Sequence, residues 1–145
     1  MTPAQTAAVE ASFRLVAPIA EPAAALFYAK LFALDPSLRP LFRDADLQAQ
    51  GRKLMQAIGF VVGNLRRPEA LLPTVAALGR RHGGYGVQPS HYDTVGAALL
   101  AILAEGLGPD FTPEIRDAWA EAYGLLARIM VEAAATQPEA LRTAA

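Results

Sequence analysis

Apolar side chains recur every three or four residues along almost the whole chain, and proline marks the start of most of these segments. The pattern predicts helices at about residues 3–19, 22–34, 46–65, 68–82, 89–107 and 113–137, with a short helical turn over 35–42. No segment shows the period of two that a half-buried strand requires. We therefore predict an all-α protein of about seven helices. Residues 1–137 form one domain, and residues 138–145 form a tail that we expect to be mobile.

The segment that organises the chain ends in a histidine. On a helix, Leu71, Val75, Leu78 and His82 lie within about 40° of one another, so the histidine continues an apolar stripe. Two glycines follow it, and we expect the helix to stop there. A basic nitrogen at this place suits the fifth ligand of a buried iron porphyrin. On this segment alone, a core histidine bonded to a backbone carbonyl is the simpler interpretation.

Two further polar residues occupy positions where the pattern expects apolar ones. Gln50 shares a helical stripe with Leu54 and Ile58, although a first-turn residue there could equally reach solvent. Tyr28 stands in a helix that is otherwise almost entirely apolar, where core packing with one hydrogen bond is the alternative. Gln50 and His82 would nevertheless lie on the inner faces of two long helices. This geometry suits two polar groups that face each other across a flat apolar ligand.

Composition narrows the classes of protein. The chain has 145 residues, of which 53% are hydrophobic and 19% charged, with a net charge of −1 and no cysteine. Thiol chemistry and iron–sulfur clusters are thereby excluded. Basic residues form nothing larger than pairs, so we expect neither a nucleic-acid nor a membrane partner. No signal-peptide pattern opens the chain, and the longest apolar run, residues 95–104, is too short to span a bilayer. We expect a cytoplasmic protein.

The remaining polar candidates are weaker. Lys53 and Arg81 could each meet an acidic group at the edge of a ligand, or could simply be solvated. His91 stands at a helix start, where solvation is the simpler interpretation. The chain shows no phosphate-binding loop, no nucleophile elbow and no histidine and carboxylate cluster for a bare metal ion. We therefore assign no catalytic residue.

Several runs, in their order and spacing, are similar to those of one family. They are residues 26–32 (LFYAKLF), 39–42 (RPLF), 52–55 (RKLM), 78–82 (LGRRH), 85–87 (YGV), 118–119 (AW) and 122–124 (AYG). Together they resemble a bacterial single-domain globin, related to the globin domains of flavohaemoglobins and to neuroglobin. The resemblance covers about residues 5–132. It implies a globin fold, with helices arranged three over three around one haem b (iron protoporphyrin IX).

The resemblance also implies a role for each candidate residue. His82 would be the proximal iron ligand, and we expect its Nδ1–H to bond a backbone carbonyl about one turn earlier. Gln50, Leu54 and Tyr28 would lie on the distal side. The other implied haem contacts are Phe42, Leu78, Val87, Tyr92 and Val95, with Lys53 and Arg81 near the propionates.

The proximal side departs from the flavohaemoglobin pattern. Those globins place a tyrosine and a glutamate around the proximal histidine to make it more electron-donating. Tyr92 matches the tyrosine, but Ala134 falls where the glutamate is expected, and Glu132 lies two residues away on another face of the helix. A strong proximal push is therefore not expected.

The function implied is reversible binding of O₂, with CO and NO as further small ligands. One alternative is NO dioxygenation, in which a separate reductase restores ferrous iron. Another is a haem-based gas sensor, for which the sequence shows no output segment. The distal pair of Tyr28 and Gln50 fits the first two functions equally.

Overall fold

The regular structure of the protein is helical. The computed structural model describes residues 1–135, and within them no strand occurs. The α-helices are α1 (Pro3–Val16), α2 (Ala20–Leu34), α3 (Leu47–Gly63), α4 (Pro68–Gly84), α5 (Pro89–Leu107) and α6 (Pro113–Ala135). Short 3-10 segments span Ala17–Ile19, Pro36–Phe42 and Gly108–Asp110. The all-α prediction is confirmed, and the seventh predicted helix is the 3-10 segment Pro36–Phe42. The predicted boundary at residue 137 and the tail 138–145 fall outside the described residues.

Local side-chain chemistry fixes where the helices begin. Thr2 accepts a hydrogen bond from the Gln5 backbone N–H at 3.1 Å, and the Gln5 side chain returns one to the Thr2 N–H at 2.9 Å, which together form a capping box. A side-chain oxygen likewise caps three later segments, with proline in the first turn of two of them. These capping residues are Asp35, Asp46 and Thr112.

The helices pack in pairs around two hydrophobic clusters. α4 packs on α6, α2 packs on both α3 and α5, and α1 packs on α6. The main cluster is built from buried residues of α1, α2, α5 and α6, with Leu38 and Val62 added from other segments. The second cluster is small and joins α4 to α6 through Leu71, Val75 and Met130. The core is therefore divided: α3 contributes Val62 to the main cluster and packs Val61 against the second cluster, which α4 and α6 build.

A buried polar contact ties the two ends of the described chain together. The Trp119 indole donates to the Ser12 Oγ at 2.8 Å, and that hydroxyl donates to the Ala8 carbonyl at 2.7 Å. Both side chains are almost fully buried, at 3% exposure each. Because a buried indole N–H needs an acceptor, Ser12 fixes the register of α1 on α6.

The structure corrects three details of the helix predictions. α1 ends at Val16 rather than residue 19, because Pro18 starts a 3-10 turn, and Ile19 is 40% exposed instead of buried. α3 ends at Gly63 rather than residue 65. α4 continues through both glycines after His82 and ends at Gly84. The left-handed backbone conformation occurs later, at Gly86, with φ of 87°.

The N-terminal segment Pro3–Leu34 is long and apolar enough, by composition alone, to cross a membrane. Within the fold it comprises two helices, separated by the 3-10 turn at Pro18. Val9, Phe27 and Leu31 from this segment are 0%, 3% and 1% exposed and belong to the main cluster. Core packing therefore accounts for part of its apolar character, while Leu15, Leu26 and Leu34 are 55%, 49% and 51% exposed.

Candidate functional site

The ring of His82 is oriented by a bond within its own helix. Its Nδ1 lies 2.8 Å from the Leu78 carbonyl oxygen. A carbonyl can only accept, so Nδ1 carries the proton and Nε2 presents its lone pair. Nε2 has no hydrogen-bond partner among residues 1–135. The predicted bond to a carbonyl one turn earlier is confirmed, and the same bond prepares Nε2 for a metal.

Burial keeps this imidazole neutral. Desolvation lowers the pKa of His82 below its ordinary value, and the nearby charge of Arg81 lowers it further. The hydrogen bond to Leu78 acts in the opposite direction but is the smaller effect. A neutral imidazole is the form that binds iron, so no proton must leave before ligation near pH 7.

Close packing of α4 on α6 holds His82 in place. Gly79, one turn before the histidine, is so near α6 that a Cβ there would lie 2.5 Å from the Cα of Met130. One turn further on, a Cβ at Gly83 would meet the Ala134 side chain at 3.0 Å. Leu71 and Val75 fill the space on the same face of α4. The helix that carries His82 is thus seated directly on the backbone of α6.

The apolar residues predicted to contact haem lie at the margins of the two clusters. Leu54 and Val95 are half-buried against the main cluster, whereas Leu78 and Tyr92 are half-buried against the second. Half-buried aliphatic side chains beside a divided core offer apolar surface that a flat hydrophobic group would cover. The backbone N–H of Val87 donates to the His82 carbonyl at 3.1 Å, which places Val87 near the histidine. This arrangement fits a porphyrin.

Tyr28 is buried within a cluster of aromatic rings. Its ring centroid is 5.1 Å from that of Phe27, 6.2 Å from that of Phe32 and 5.5 Å from that of Phe42, and the residue is 6% exposed. Its hydroxyl makes no hydrogen bond with residues 1–135. Every fully enclosed side-chain N or O atom in this part of the chain has a hydrogen-bond partner, so the hydroxyl of Tyr28 is not fully enclosed. The hydroxyl therefore still reaches accessible space. Burial raises its pKa to about 12, so at pH 7 it is a neutral donor.

Gln50 is half-buried near the N-terminal end of α3, where the helix crosses α2. The crossing is set by the next residue, since a Cβ at Gly51 would come within 2.8 Å of the Ala24 Cβ. Lys53 and Arg81 are exposed, and neither has an ion-pair partner in the described part of the chain. Their side chains are free to reach an acidic group at the rim of the site.

A large surface groove lies elsewhere. It measures about 890 Å³ and runs between α2 and α3, on the side of α3 that carries Gln48, Arg52 and Met55. Among the predicted site residues only Tyr28 lines it. Gln50 and Leu54 lie on a neighbouring face of the same helix. The size of this groove therefore does not locate the predicted ligand site.

Tyr92 borders a small apolar pocket on the proximal side. The pocket, of about 210 Å³, is also lined by Val87, Val131 and Ala134. Ala134 thus lies in the region where the resemblance places a glutamate, while Glu132 is exposed on another face of α6. The sequence did not predict one contact that supports this pocket. The Tyr123 hydroxyl donates a hydrogen bond to the Tyr92 backbone carbonyl at 2.6 Å. Because the hydroxyl of a buried tyrosine usually has a hydrogen-bond partner, the position of Tyr123 on the inner face of a helix could have predicted such a bond, but not its acceptor.

His91, the second histidine of the chain, has a structural role. Its Nδ1 accepts a hydrogen bond from the Gln88 backbone N–H at 2.9 Å, and it closes a capping box at the start of α5. It was predicted to be solvated and not to ligate a metal. The ring is half-buried at this helix cap and is therefore less solvated than predicted, and its exclusion as a metal ligand stays a prediction.

Comparison with known proteins gives a consistent result. The profile of the family described as Globin matches residues 25–130. The flavohemoprotein of Deinococcus radiodurans is 38% identical over 133 residues, covering 90% of this chain and 33% of the relative. The flavohemoproteins of Rhodopirellula baltica and Bordetella parapertussis are 35% and 37% identical, over 81% and 72% of this chain and 29% and 27% of their own lengths. The chain spans about a third of the length of these relatives. The family match covers most of the helices and includes every residue proposed for the site, and we conclude that this chain belongs to the globin family.

Proposed function

We propose that the protein binds haem b between α3 and α4, with His82 Nε2 as the axial ligand of the iron, and that it binds O₂ reversibly. The observation that carries the proposal is the bond between His82 Nδ1 and the Leu78 carbonyl, which leaves Nε2 unbonded beside half-buried apolar side chains. Ferrous haem would supply an open coordination position for O₂, CO or NO. The similarity to proteins named flavohemoproteins supports the cofactor.

The apolar residues of the site would bury the porphyrin faces. Burial of apolar surface contributes about 25 cal/mol for each Å² removed from water, so a macrocycle covered on both faces gains a large part of its affinity this way. Lys53 and Arg81 would pair with the carboxylates at the edge, where exposed ion pairs contribute at most about 1 kcal/mol each. The residues that would cover the faces are Phe42, Leu54, Leu78, Val87, Tyr92 and Val95.

Tyr28 and Gln50 would donate hydrogen bonds to the bound gas. Bound O₂ carries partial negative charge, whereas CO is much less polar. A neutral hydrogen bond contributes about 1 kcal/mol, so each donor should slow the escape of O₂ by about fivefold and that of CO much less. Neither side chain competes for the iron at neutral pH. The amide of Gln50 is a weak ligand, and the raised pKa of Tyr28 keeps its phenol protonated.

Visible spectroscopy of the protein loaded with haem tests the axial ligand. The ferrous form should be five-coordinate with a proximal-histidine spectrum, and His82→Gly should lose that spectrum and regain it with added imidazole. His91→Gly is the matched control, since it removes the other histidine, and it should leave the spectrum unchanged. A wild-type spectrum in His82→Gly without imidazole, or a six-coordinate ferrous wild type, would contradict the assignment.

Stopped-flow measurements on Tyr28→Phe and Gln50→Leu test the distal pair. The O₂ dissociation rate should rise about fivefold in each variant, while the CO dissociation rate changes by less than about twofold. Equal effects on both gases would show that these residues do not donate to the ligand. Steady turnover of NO to nitrate with a separate reductase would instead favour the dioxygenase function.

A further inference from the structure

An exposed aromatic residue lies directly beside His82. Tyr85 caps the C-terminal end of α4 and is 66% exposed, and its ring centroid is 6.2 Å from that of the histidine. Its backbone N–H donates to the carbonyls of Arg81 and His82, at 3.1 Å each. The base of the ring is thus fixed to the turn that carries the histidine, while the ring itself faces solvent. Packing of the fold does not account for an aromatic side chain in this position.

The surface around Tyr85 is open to a large partner. A Cβ added at Gly84 or at Gly86 would meet nothing within 4 Å. Gly86 also adopts a φ of 87°, which favours glycine over any residue with a side chain. Another protein could therefore approach the backbone on both sides of the ring without obstruction.

This surface carries unpaired positive charge. Arg80 and Arg81 are exposed on the last turns of α4, and neither forms an ion pair with residues 1–135. The ion pairs of the described chain lie elsewhere, between Lys30 and Glu105 and between Arg66 and Glu10. We call the group Arg80, Arg81, Gly84, Tyr85 and Gly86 the α4-end patch. The Arg80 guanidinium is free to pair with an acidic surface, and Arg81, assigned above to a carboxylate at the haem edge, adds positive charge on the same turn of α4.

We propose that the α4-end patch docks an acidic one-electron carrier protein, with the Tyr85 ring between the carrier and His82. The inference rests on the proposed function, because the electron is destined for ferric haem iron. One electron leaves the reduced carrier and converts ferric iron to ferrous iron, and no bond between atoms forms or breaks. Reversible O₂ binding needs ferrous iron, so oxidised protein must be reduced. Electron transfer slows steeply with distance, which favours docking beside the axial ligand.

Anaerobic stopped-flow reduction of the ferric, haem-loaded protein tests the proposal. Reduced flavodoxin, an acidic flavin carrier, is the probe, with CO present to report ferrous haem. Arg80→Gln should lower the second-order rate constant about threefold at low ionic strength and less at high salt. Arg67→Gln is the matched control, because it removes an exposed arginine about 20 Å away at the other end of α4. It should leave the rate unchanged.

The ring is tested by a second pair of variants. Tyr85→Leu should lower the limiting first-order rate with flavodoxin at least about threefold, whereas Tyr85→Phe retains a ring and should keep most of the rate. Dithionite needs no docking surface, so it should reduce all the variants at the wild-type rate. Calorimetric titration of the ferric protein with oxidised flavodoxin, in which no electron moves, should show weaker binding for Arg80→Gln than for Arg67→Gln.

Several outcomes would overturn the inference. They are no saturable binding of flavodoxin by the wild type, equal rates in Arg80→Gln and Arg67→Gln, or an equal loss with dithionite. A change of oligomeric state in the patch variants would show instead that the patch binds a second copy of the chain. Failure of the wild type to take up haem would overturn the proposed function itself. If haem uptake is normal and the patch variants bind flavodoxin and are reduced by it as the wild type is, the docking site alone is overturned.

Discussion

Replacing Gly79 by alanine should separate the two helices that position His82. A Cβ at this residue would lie 2.5 Å from both the Cα and the carbonyl oxygen of Met130, and 2.8 Å from its carbonyl carbon. Ordinary van der Waals contact begins near 3.4 Å, so α4 and α6 would have to move apart by about 1 Å. The atoms that clash belong to the backbone of α6. Rotation of a side chain therefore cannot relieve the overlap.

The size of the effect follows from two opposing contributions. Alanine is favoured over glycine in a helix by about 1 kcal/mol. Overpacking at a tight contact costs about 1–3 kcal/mol of stability. Here the clash is with backbone and also loosens the cluster of Leu71, Val75 and Met130, so we expect a cost at or above the upper end of this range. We expect a net loss of about 2 kcal/mol, which lowers the Tm by about 4–8 °C for a chain of this length.

Urea unfolding and haem transfer measure the two consequences. Gly79→Ala should unfold at lower urea and should lose haem to apomyoglobin faster than wild type, because His82 lies one turn after the clash. Gly63→Ala is the control, since a Cβ there meets nothing within 4 Å in an exposed position of α3. It should be neutral or stabilising by up to about 1 kcal/mol. If Gly79→Ala were as stable as Gly63→Ala, the close approach of α4 to α6 would be wrong.

Three further predictions concern buried groups. Ser12→Ala leaves the indole of Trp119 without its acceptor and should reduce the free energy of unfolding by about 1–3 kcal/mol, with Ser12→Thr closer to wild type in the same urea titration. The pKa of Tyr28 is raised above its unfolded value of about 10, so the stability linked to its neutral form is complete below pH 10 and is lost as pH rises towards 12. By pH 11 the wild type should lose about 1 kcal/mol more than Tyr28→Phe, and equal losses would refute the linkage. Resonance Raman of the ferrous, ligand-free protein should show the low iron–histidine stretch of a neutral imidazole at His82, and a high, peroxidase-like frequency would contradict the carbonyl bond.

The starts of the helices could be read from the sequence because their causes are local. Asp35 and Asp46 each bond a backbone N–H two or three residues ahead, so the residue type and its position are sufficient for the prediction. The ends of the helices depend more on tertiary contacts. Gly83 and Gly84 resemble a helix stop, but α4 passes through both, and α6 lies so near that a Cβ at Gly83 would be 3.0 Å from the Cβ of Ala134. No local pattern contains that contact.

The same distinction applies to the candidate site. The helical period predicts that His82 continues an apolar stripe. Within one helix its Nδ1 can reach the carbonyl four residues earlier, so the tautomer with the proton on Nδ1 could be predicted without knowing which helices meet. Gly51 and Gly79 could not be assigned their roles in this way. Each matters because a second helix approaches it, and the sequence does not state which helices meet.

The proximal side shows how one bond can restrict the chemistry of the site. The proton on Nδ1 of His82 is shared with a backbone carbonyl, which is a weaker acceptor than a carboxylate and leaves the imidazole less electron-donating. The adjoining pocket is lined by Val87, Tyr92 and Ala134, so no carboxylate is present in its described lining to strengthen that bond. A less donating axial ligand gives less assistance to cleavage of bound O₂. In the proposed haem site, these residues would therefore favour holding O₂ over activating it, and for this reason we propose reversible binding ahead of dioxygenation.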